Sequence, residues 1–182
     1  EEHFGVDVSL SNNGNRVIVG GSDFPNHNGF VRVFDFNGSN WTQIGDTLNG
    51  ENIGESFYSV TLSNDGNRLA IGASSVRFNG TRHGLVRLYQ FHNLNWVQLG
   101  DDIIGDELMD YFGTNVSIAA DGDSVVIGAF KFDIQQSGSE VGYAKVFDLS
   151  DLILSVNDLV KNKIVVYPNP ASNNIHFTNN DD

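Results

Sequence analysis

The chain has 182 residues, of which 40% are hydrophobic and 11% aromatic, enough to build a packed core and to exclude wholesale disorder. Its formal net charge is −13 with only 10 lysines and arginines, which argues against nucleic-acid binding and against an anionic membrane surface, since both need clustered basic side chains. The absence of cysteine excludes a disulfide framework, a thiolate zinc site and a cysteine nucleophile.

One motif is written three times along the chain. Its copies are Phe4–Ser22, Ser56–Ser74 and Phe112–Phe130, each an alternating apolar run, a glycine-containing turn and a nearly continuous apolar run. A second repeated segment follows each copy of this motif. It lies at Gly29–Asp46, at Gly84–Asp101 and, in its first half only, at Gly142–Leu149. A period of about 50 residues predicts stacked supersecondary units.

The first repeat predicts four short antiparallel strands. Val6, Val8 and Leu10 alternate with polar residues, the pattern of a strand with two different faces. Gly14 and its asparagine neighbours predict a tight hairpin, because these residues tolerate a positive φ. The next run, Arg16–Gly20, indicates a strand covered on both faces. After a loop at Asp23–Asn28, the last two predicted strands are Phe30–Phe36 and Trp41–Gly45.

The second repeat follows the same plan, and the third lacks a strand that begins with tryptophan. The predicted strands are Val60–Ser63, Arg68–Ala73, Leu85–Phe91 and Trp96–Gly100, then Val116–Ile118, Val125–Ala129 and Tyr143–Leu149. Four antiparallel strands in about 50 residues indicate a β-propeller blade. The sequence therefore predicts an all-β fold of three four-stranded, blade-like repeats, at about 1–50, 51–105 and 106–150.

Three blades are fewer than the roughly four to eight that close a ring. We therefore expect an open propeller arc with an exposed face at its N-terminal end, the last part of a longer propeller. Residues that recur at one repeat position are expected to build the scaffold. Trp41 and Trp96 are predicted to pack within the blades. The cations Arg32, Arg87 and Lys145 are predicted to lie along the blade, with their charge at the surface or paired to a carboxylate.

These motifs resemble the FG-GAP repeats of integrin α-type β-propellers. Phe4-Gly5 and Phe112-Gly113 match the Phe-Gly element, and Gly72-Ala73 and Gly128-Ala129 match the Gly-Ala element. The second repeat departs from the pattern, with Phe57-Tyr58 in place of Phe-Gly. Many members of the family bind calcium between the first two strands, which requires several carboxylates. The loops here hold only Asp65, Asp121 and Asp123, so we predict plain hairpins and no cofactor, with calcium a weak alternative at these three residues.

The C-terminal segment carries a second resemblance. The sequence VYPNPAS at 166–172, followed by alternating apolar residues, resembles the start of a type IX secretion (Por) C-terminal sorting domain. The signal residues would be Tyr167, Pro168, Asn169 and Pro170. The resemblance implies a linker at 151–163, a truncated sorting domain at 164–182, and recognition by the type IX secretion machinery. It also implies a protein secreted by, or displayed on, a Gram-negative bacterium, without membrane insertion.

No catalytic constellation is visible in the sequence. The five histidines show no metal-ligand spacing, and no nucleophile elbow or phosphate-binding loop is present. Acidic residues cluster between Asp101 and Asp110, where we expect a solvated loop between repeats. We therefore predict that this chain is not an enzyme.

The loops that join strands two and three, and those that join one repeat to the next, open on one face of a propeller and differ most between repeats. Variable loops on a rigid scaffold are a usual place for binding sites. The candidate partner-binding residues are the aromatic and cationic ones in these loops: Phe24, His27, Arg77, Phe78, Arg82, His83, Phe130 and Phe132. The sequence favours an extracellular binding or adhesion module for a protein or glycan. The alternatives are part of a secreted polysaccharide-active enzyme, with catalytic residues outside this chain, and a structural spacer.

Overall fold

The computed structural model describes residues 2–23, 28–51, 55–57, 59–78, 80–106, 109–130, 142–150, 165–166 and 175–176. Their regular structure consists of β-strands in antiparallel sheets, which confirms the predicted all-β class. Across these residues, there is no helix with the length and apolar character needed to cross a membrane.

The first sheet contains four strands in chain order: β1 (Glu2–Leu10), β2 (Arg16–Asp23), β3 (Gly29–Phe36) and β4 (Trp41–Asn49). Gly14 has a φ of 72° in the β1–β2 turn, as the predicted hairpin requires. The last strand is longer than predicted. It continues past Gly45, because a register shift opposite Val31 and Val33 lets it regain its pairing with β3.

The second sheet repeats this order but divides its outer strand. It contains β5 (Ser59–Leu62), β6 (Arg68–Ala73), β9 (Leu85–His92), β10 (Asn95–Gln98) and β11 (Ile103–Ile104), and both β10 and β11 pair with the outer edge of β9. A separate hairpin of β7 (Arg77–Phe78) and β8 (Thr81–Arg82) lies in the segment that the sequence pattern indicated as a loop. Gly80, with a φ of 82°, makes its turn possible.

The third sheet contains β12 (Asn115–Ile118), β13 (Ser124–Ala129), β14 (Tyr143–Asp148), β15 (Val165–Val166) and β16 (Ile175–His176). The last two strands belong to the segment with the predicted sorting signal, and both pair with the outer edge of β14. They therefore occupy the position that β10 and β11 occupy on β9. The signal residues Tyr167, Pro168, Asn169 and Pro170 lie outside the described residues.

The hydrophobic core lies between neighbouring sheets. One apolar cluster joins the first and second sheets and includes Ile18, Val31, Phe57, Val60 and Leu69. Another joins the second and third and includes Leu88, Phe112, Ile127, Phe147 and Leu149. The sheets meet mainly through their first strands, since β5 contacts both β1 and β12. The first and second repeats therefore each bury apolar side chains against the repeat that follows.

Candidate functional site

The predicted partner-binding residues fall into two groups. Phe24, His27 and Phe132 lie outside the described residues. Arg77 and Phe78 form β7, Arg82 ends β8, His83 follows it, and Phe130 follows β13. Arg82 and His83 thus come from the second repeat, whereas Phe130 comes from the third. The structure places both Arg82 and Phe130 in contact with one further residue.

That residue is Tyr111, in the connection between the second and third repeats. Its ring stacks on Phe130 with centroids 4.9 Å apart and an angle of 11° between the ring planes. The guanidinium carbon of Arg82 lies 5.6 Å from the centroid of the Tyr111 ring, and Arg82 Nη1 donates to the Tyr111 hydroxyl at 2.9 Å. Arg82, Tyr111 and Phe130 therefore form one contact chain, which we call the Arg–Tyr–Phe ladder.

The backbone of this connection is fixed from several directions. Met109 N–H donates to the carbonyl of Arg82 at 2.7 Å, and Phe112 N–H donates to the carbonyl of His83 at 3.1 Å. The hydroxyl of Thr114 donates to the carbonyl of Tyr111 at 2.6 Å. Met109 and Tyr111 have φ values of 63° and 53°, a region that side chains larger than glycine adopt rarely. The loop therefore holds the Tyr111 ring in one position.

A buried carboxylate lies under the ladder. Asp110 is completely buried and accepts hydrogen bonds from the Tyr143 hydroxyl and from Phe112 N–H. The expectation of a solvated acidic loop is wrong at this residue, because hydrogen bonds within the protein replace those to water. Two other members of the acidic stretch are also engaged, Asp102 with Arg87 and Asp106 with Lys145. The cluster is structural and supports the loop that carries Tyr111.

The ladder combines a cation with aromatic surface. Phe130 is 48% exposed, so the ladder ends in an accessible ring. The Nε atom of Arg82 is buried and has no hydrogen-bond partner among the described residues. An arginine beside stacked aromatic rings is suited to a carboxylate, which the guanidinium can bind, on a ligand with a flat apolar surface. Next to it, His83 Nδ1 lies 3.2 Å from the carbonyl oxygen of Gly105, which fixes the imidazole.

The three aspartates considered for calcium have other partners. Asp65 accepts from the Ser63 hydroxyl and from Asn67 N–H, and Asp121 accepts from Asp123 N–H at 3.0 Å. Asp123 pairs with Arg68 of the preceding repeat at 2.8 Å. Among the described residues, no group of three or more histidines and carboxylates is placed to hold a metal ion.

The pKa of Asp65 reflects this hairpin. Partial burial by itself raises the pKa of the carboxyl, but hydrogen bonds from Ser63 and Asn67 and the charge of Arg68 outweigh it, so that the pKa of Asp65 lies below its usual 3.8. The carboxylate is thus stabilised by donors of the turn.

A second charged cluster surrounds Arg87 in β9. Its guanidinium is 2% exposed, pairs with the completely buried carboxylate of Glu55, and forms two hydrogen bonds to Asp102 at 2.9 and 3.0 Å. Burial by itself lowers the pKa of Arg87, yet the bonds to Asp102 and the charge of Glu55 raise it above its usual value. Burial also raises the pKa of the neighbouring Tyr89 to about 12. Because the Arg87 side chain has no accessible face, we interpret this cluster as structural.

Sequence reasoning missed Tyr111 as a site residue. An aromatic residue directly before Phe112-Gly113, in a connection between repeats, is the signal that was available. No family model matches the chain, and no curated protein is significantly similar to it. The FG-GAP and sorting-domain resemblances therefore stay predictions that depend on the quoted motifs.

Proposed function

We propose that the chain is a non-enzymatic extracellular binding module, in which three blade-like sheets form an open arc and the Arg–Tyr–Phe ladder contacts the ligand. The observation that carries the proposal is the convergence of Arg82, Tyr111 and Phe130 from three separate segments. The half-exposed ring of Phe130 and the cation of Arg82 then both contact Tyr111, whose loop is held by backbone hydrogen bonds. Aromatic residues and arginine are the side chains that most often dominate binding energy.

The ligand that this chemistry fits best is a carboxylated glycan. Sugar rings stack on aromatic faces, and a guanidinium binds a carboxylate through two parallel hydrogen bonds. A protein partner with an acidic, apolar segment is the second candidate, because the same two groups would recognise it. Export through the type IX route to the cell surface is part of this proposal and depends on the VYPNPAS motif.

Binding to two immobilised probes tests the proposal: polygalacturonate as a carboxylated glycan, and a synthetic peptide of alternating glutamate and leucine residues as an acidic, apolar protein segment. We expect the purified chain to bind one of them and Phe130→Ser to weaken that binding at least tenfold, which is about 1.4 kcal/mol. Leu94→Ser is the matched control, because Leu94 is 83% exposed in a turn of the outer hairpin and does not belong to the ladder.

A second variant replaces residues 77–82 with a short glycine-serine turn. Val76 is kept because it is buried in the core, and His83 is kept because it contacts Gly105. We expect this variant to lose binding while its β-sheet circular dichroism spectrum is unchanged. The proposal would be contradicted if the wild-type chain binds neither probe, or if both ladder variants bind as strongly as the wild type. Release of shortened sugars from polygalacturonate would favour the enzyme alternative.

A further inference from the structure

The first repeat leaves uncovered a surface that is buried in the second repeat. We call the side of a repeat that contacts the preceding repeat its front face. In the second repeat the front face includes Val60 and Leu62, which are 4% and 7% exposed. Their counterparts in the first repeat, Val8 and Leu10, are 58% and 57% exposed. Two aromatic pairs show the same difference: Phe4 against Phe57, and Trp41 against Trp96.

The third repeat leaves the opposite side uncovered, which we call the back face. Ile18 and Val33 of the first repeat are buried beneath the second repeat. Ala70 and Leu88 hold the same positions in the second repeat and are also buried. In the third repeat these positions are Val126 and Val146, which are 39% and 36% exposed. Within the described residues, the front face of the first repeat and the back face of the third repeat are therefore each without a neighbouring repeat.

The hydrogen bonds between repeats occur twice in the same form. Val60 N–H and Leu62 N–H donate to the side chains of Asp7 and Ser9, at 2.8 and 3.2 Å. One repeat later, Val116 N–H and Ile118 N–H donate to Ser59 and Thr61, at 3.1 and 3.5 Å. The corresponding acceptors of the third repeat are Asn115 and Ser117, and both are exposed. The back face of the third repeat thus presents the same row of acceptors as the other two.

The packing between repeats also occurs twice. A side chain at Gly20 would lie 3.3 Å from Val60 Cγ1, and one at Gly72 would lie 3.2 Å from Val116 Cγ1, so each glycine makes room for a valine of the next repeat. The third glycine, Gly128, has only Asn115 of its own repeat within 4 Å among the described residues. The place that Val60 and Val116 occupy beside the first two glycines is therefore open beside the third.

A second glycine position repeats this pattern. Gly29 and Gly84 lie directly against Phe57 and Phe112 of the following repeat. The three atoms nearest to a side chain at Gly142, the third member, belong to Ala129 and Phe130 of its own repeat. Among the described residues, the back face therefore has an open position for a valine at Gly128, and no atom of another repeat is among the three nearest to Gly142. The unpaired front face carries Val8 and Phe4 at the matching places.

We propose that two copies of this chain associate head to tail, with the front face of one copy seated on the back face of the other. The contact would continue the interface that already joins the first repeat to the second and the second to the third. Two three-repeat chains joined head to tail form a closed ring when a second identical contact forms between them. Such a ring has six repeats, which lies within the roughly four to eight blades that propellers contain.

Two elements of the interface between the first two repeats have no counterpart here. Arg16 and Arg68 donate to the hairpin of the next repeat, and the third repeat has Ser124 there. Trp96 packs on Gly45 of the first repeat, whereas the sequence of the third repeat lacks the segment that would offer such a glycine to Trp41.

Light scattering and sedimentation velocity of the full chain test the proposal, from micromolar to sub-millimolar concentration. We expect the mass to double from 19.9 kDa as the concentration rises. Val8→Glu should damage only the front face, with Leu10→Ser as a milder second variant. Gly128→Leu should place a side chain in the open position on the back face, where a Cβ lies at an ordinary contact distance of 3.7 Å from Asn115. Its circular dichroism spectrum checks that the third repeat still folds. Leu94→Ser is the control and should associate like the wild type.

Mixing the Val8→Glu and Gly128→Leu variants distinguishes a head-to-tail dimer from a dimer in which the same face of each copy forms the contact. Val8→Glu alone and Gly128→Leu alone should stay monomeric. An equimolar mixture should form a complex, because each protein retains the face that the other lacks. The proposal is overturned if the wild type stays at the monomer mass, if either variant alone dimerises as the wild type does, or if the mixture forms no complex.

Discussion

Trp41 and Trp96 occupy the same position in the first and second repeats, with nearly the same neighbours in sequence. Each packs on a phenylalanine of its own sheet, Phe36 at 5.2 Å and Phe91 at 5.0 Å between ring centroids. Trp96 also lies against Gly45 of the preceding repeat and is 6% exposed, whereas Trp41 is 47% exposed. The prediction that both tryptophans pack within the blades describes Trp96 fully and Trp41 on one side only.

The comparison of Trp41 with Trp96 shows that the burial of a side chain depends on the adjacent repeat as much as on its own strand. In repeat proteins, stability is approximately a sum of terms within repeats and terms between neighbours. Equivalent substitutions in the first and second repeats therefore separate these terms. Of these two repeats, only the second has a neighbour on its front face within the described residues.

The largest difference is expected at the cation of the third strand. Arg87→Met removes the guanidinium that pairs with the buried carboxylate of Glu55, and removing one member of a buried ion pair typically costs about 3–5 kcal/mol. Arg32→Met removes an ion pair with Glu2 at 3.2 Å that is partly exposed on both sides. Such pairs contribute about 0–1 kcal/mol. Urea unfolding of the two variants measures both changes, and equal losses would show that the neighbouring repeat does not matter here.

An intermediate difference is expected at the small residues of the second strand. Gly72→Ala places a Cβ against the backbone carbonyl of Gly113 in the next repeat, and such overpacking typically costs about 1–3 kcal/mol. Gly128→Ala meets no atom of a following repeat and should change the free energy of unfolding by less than about 0.5 kcal/mol. Thermal unfolding of dilute protein measures both. A Gly128→Ala variant as unstable as Gly72→Ala would contradict the assignment of an empty back face.

The smallest effect concerns alkaline pH. Tyr89 stands where the first repeat has Phe34, and burial raises its pKa to about 12 from the usual 10.0. A raised pKa favours the neutral form in the folded state, so its contribution is complete below pH 10.0 and is lost as the pH rises through about 12. The free energy of unfolding of Tyr89→Phe should therefore fall less than that of the wild type over this interval. Parallel curves would indicate that Tyr89 ionises normally.

The strands and hairpins could be predicted from the sequence because their signals are local. Gly66 and Gly122 adopt the positive φ that their turns require, at 72° and 81°, and the predicted β6 matches the observed range. The extension of β4 beyond Gly45 could not be predicted, because it depends on a register shift that lets the strand pair again with β3.

The site and the buried charges were less predictable because they depend on packing between repeats. Arg32 and Arg87 are indistinguishable in sequence, yet one is partly exposed and the other is buried with Glu55. The ladder joins Arg82, Tyr111 and Phe130 across two repeats, and sequence spacing does not show that these segments meet. The sequence could indicate the loops that carry the site, but the partners within it depend on how the sheets pack.

Amide hydrogen exchange at Leu10 and Leu62 tests most directly whether contact between repeats creates the buried front face. The two residues hold the same place in β1 and β5, but only Leu62 donates its N–H to a neighbouring repeat, at Ser9. We predict slow exchange at Leu62 at all concentrations, and fast exchange at Leu10 in dilute protein that slows as a second copy covers the front face. Equal exchange rates at the two amides in dilute protein would contradict the account.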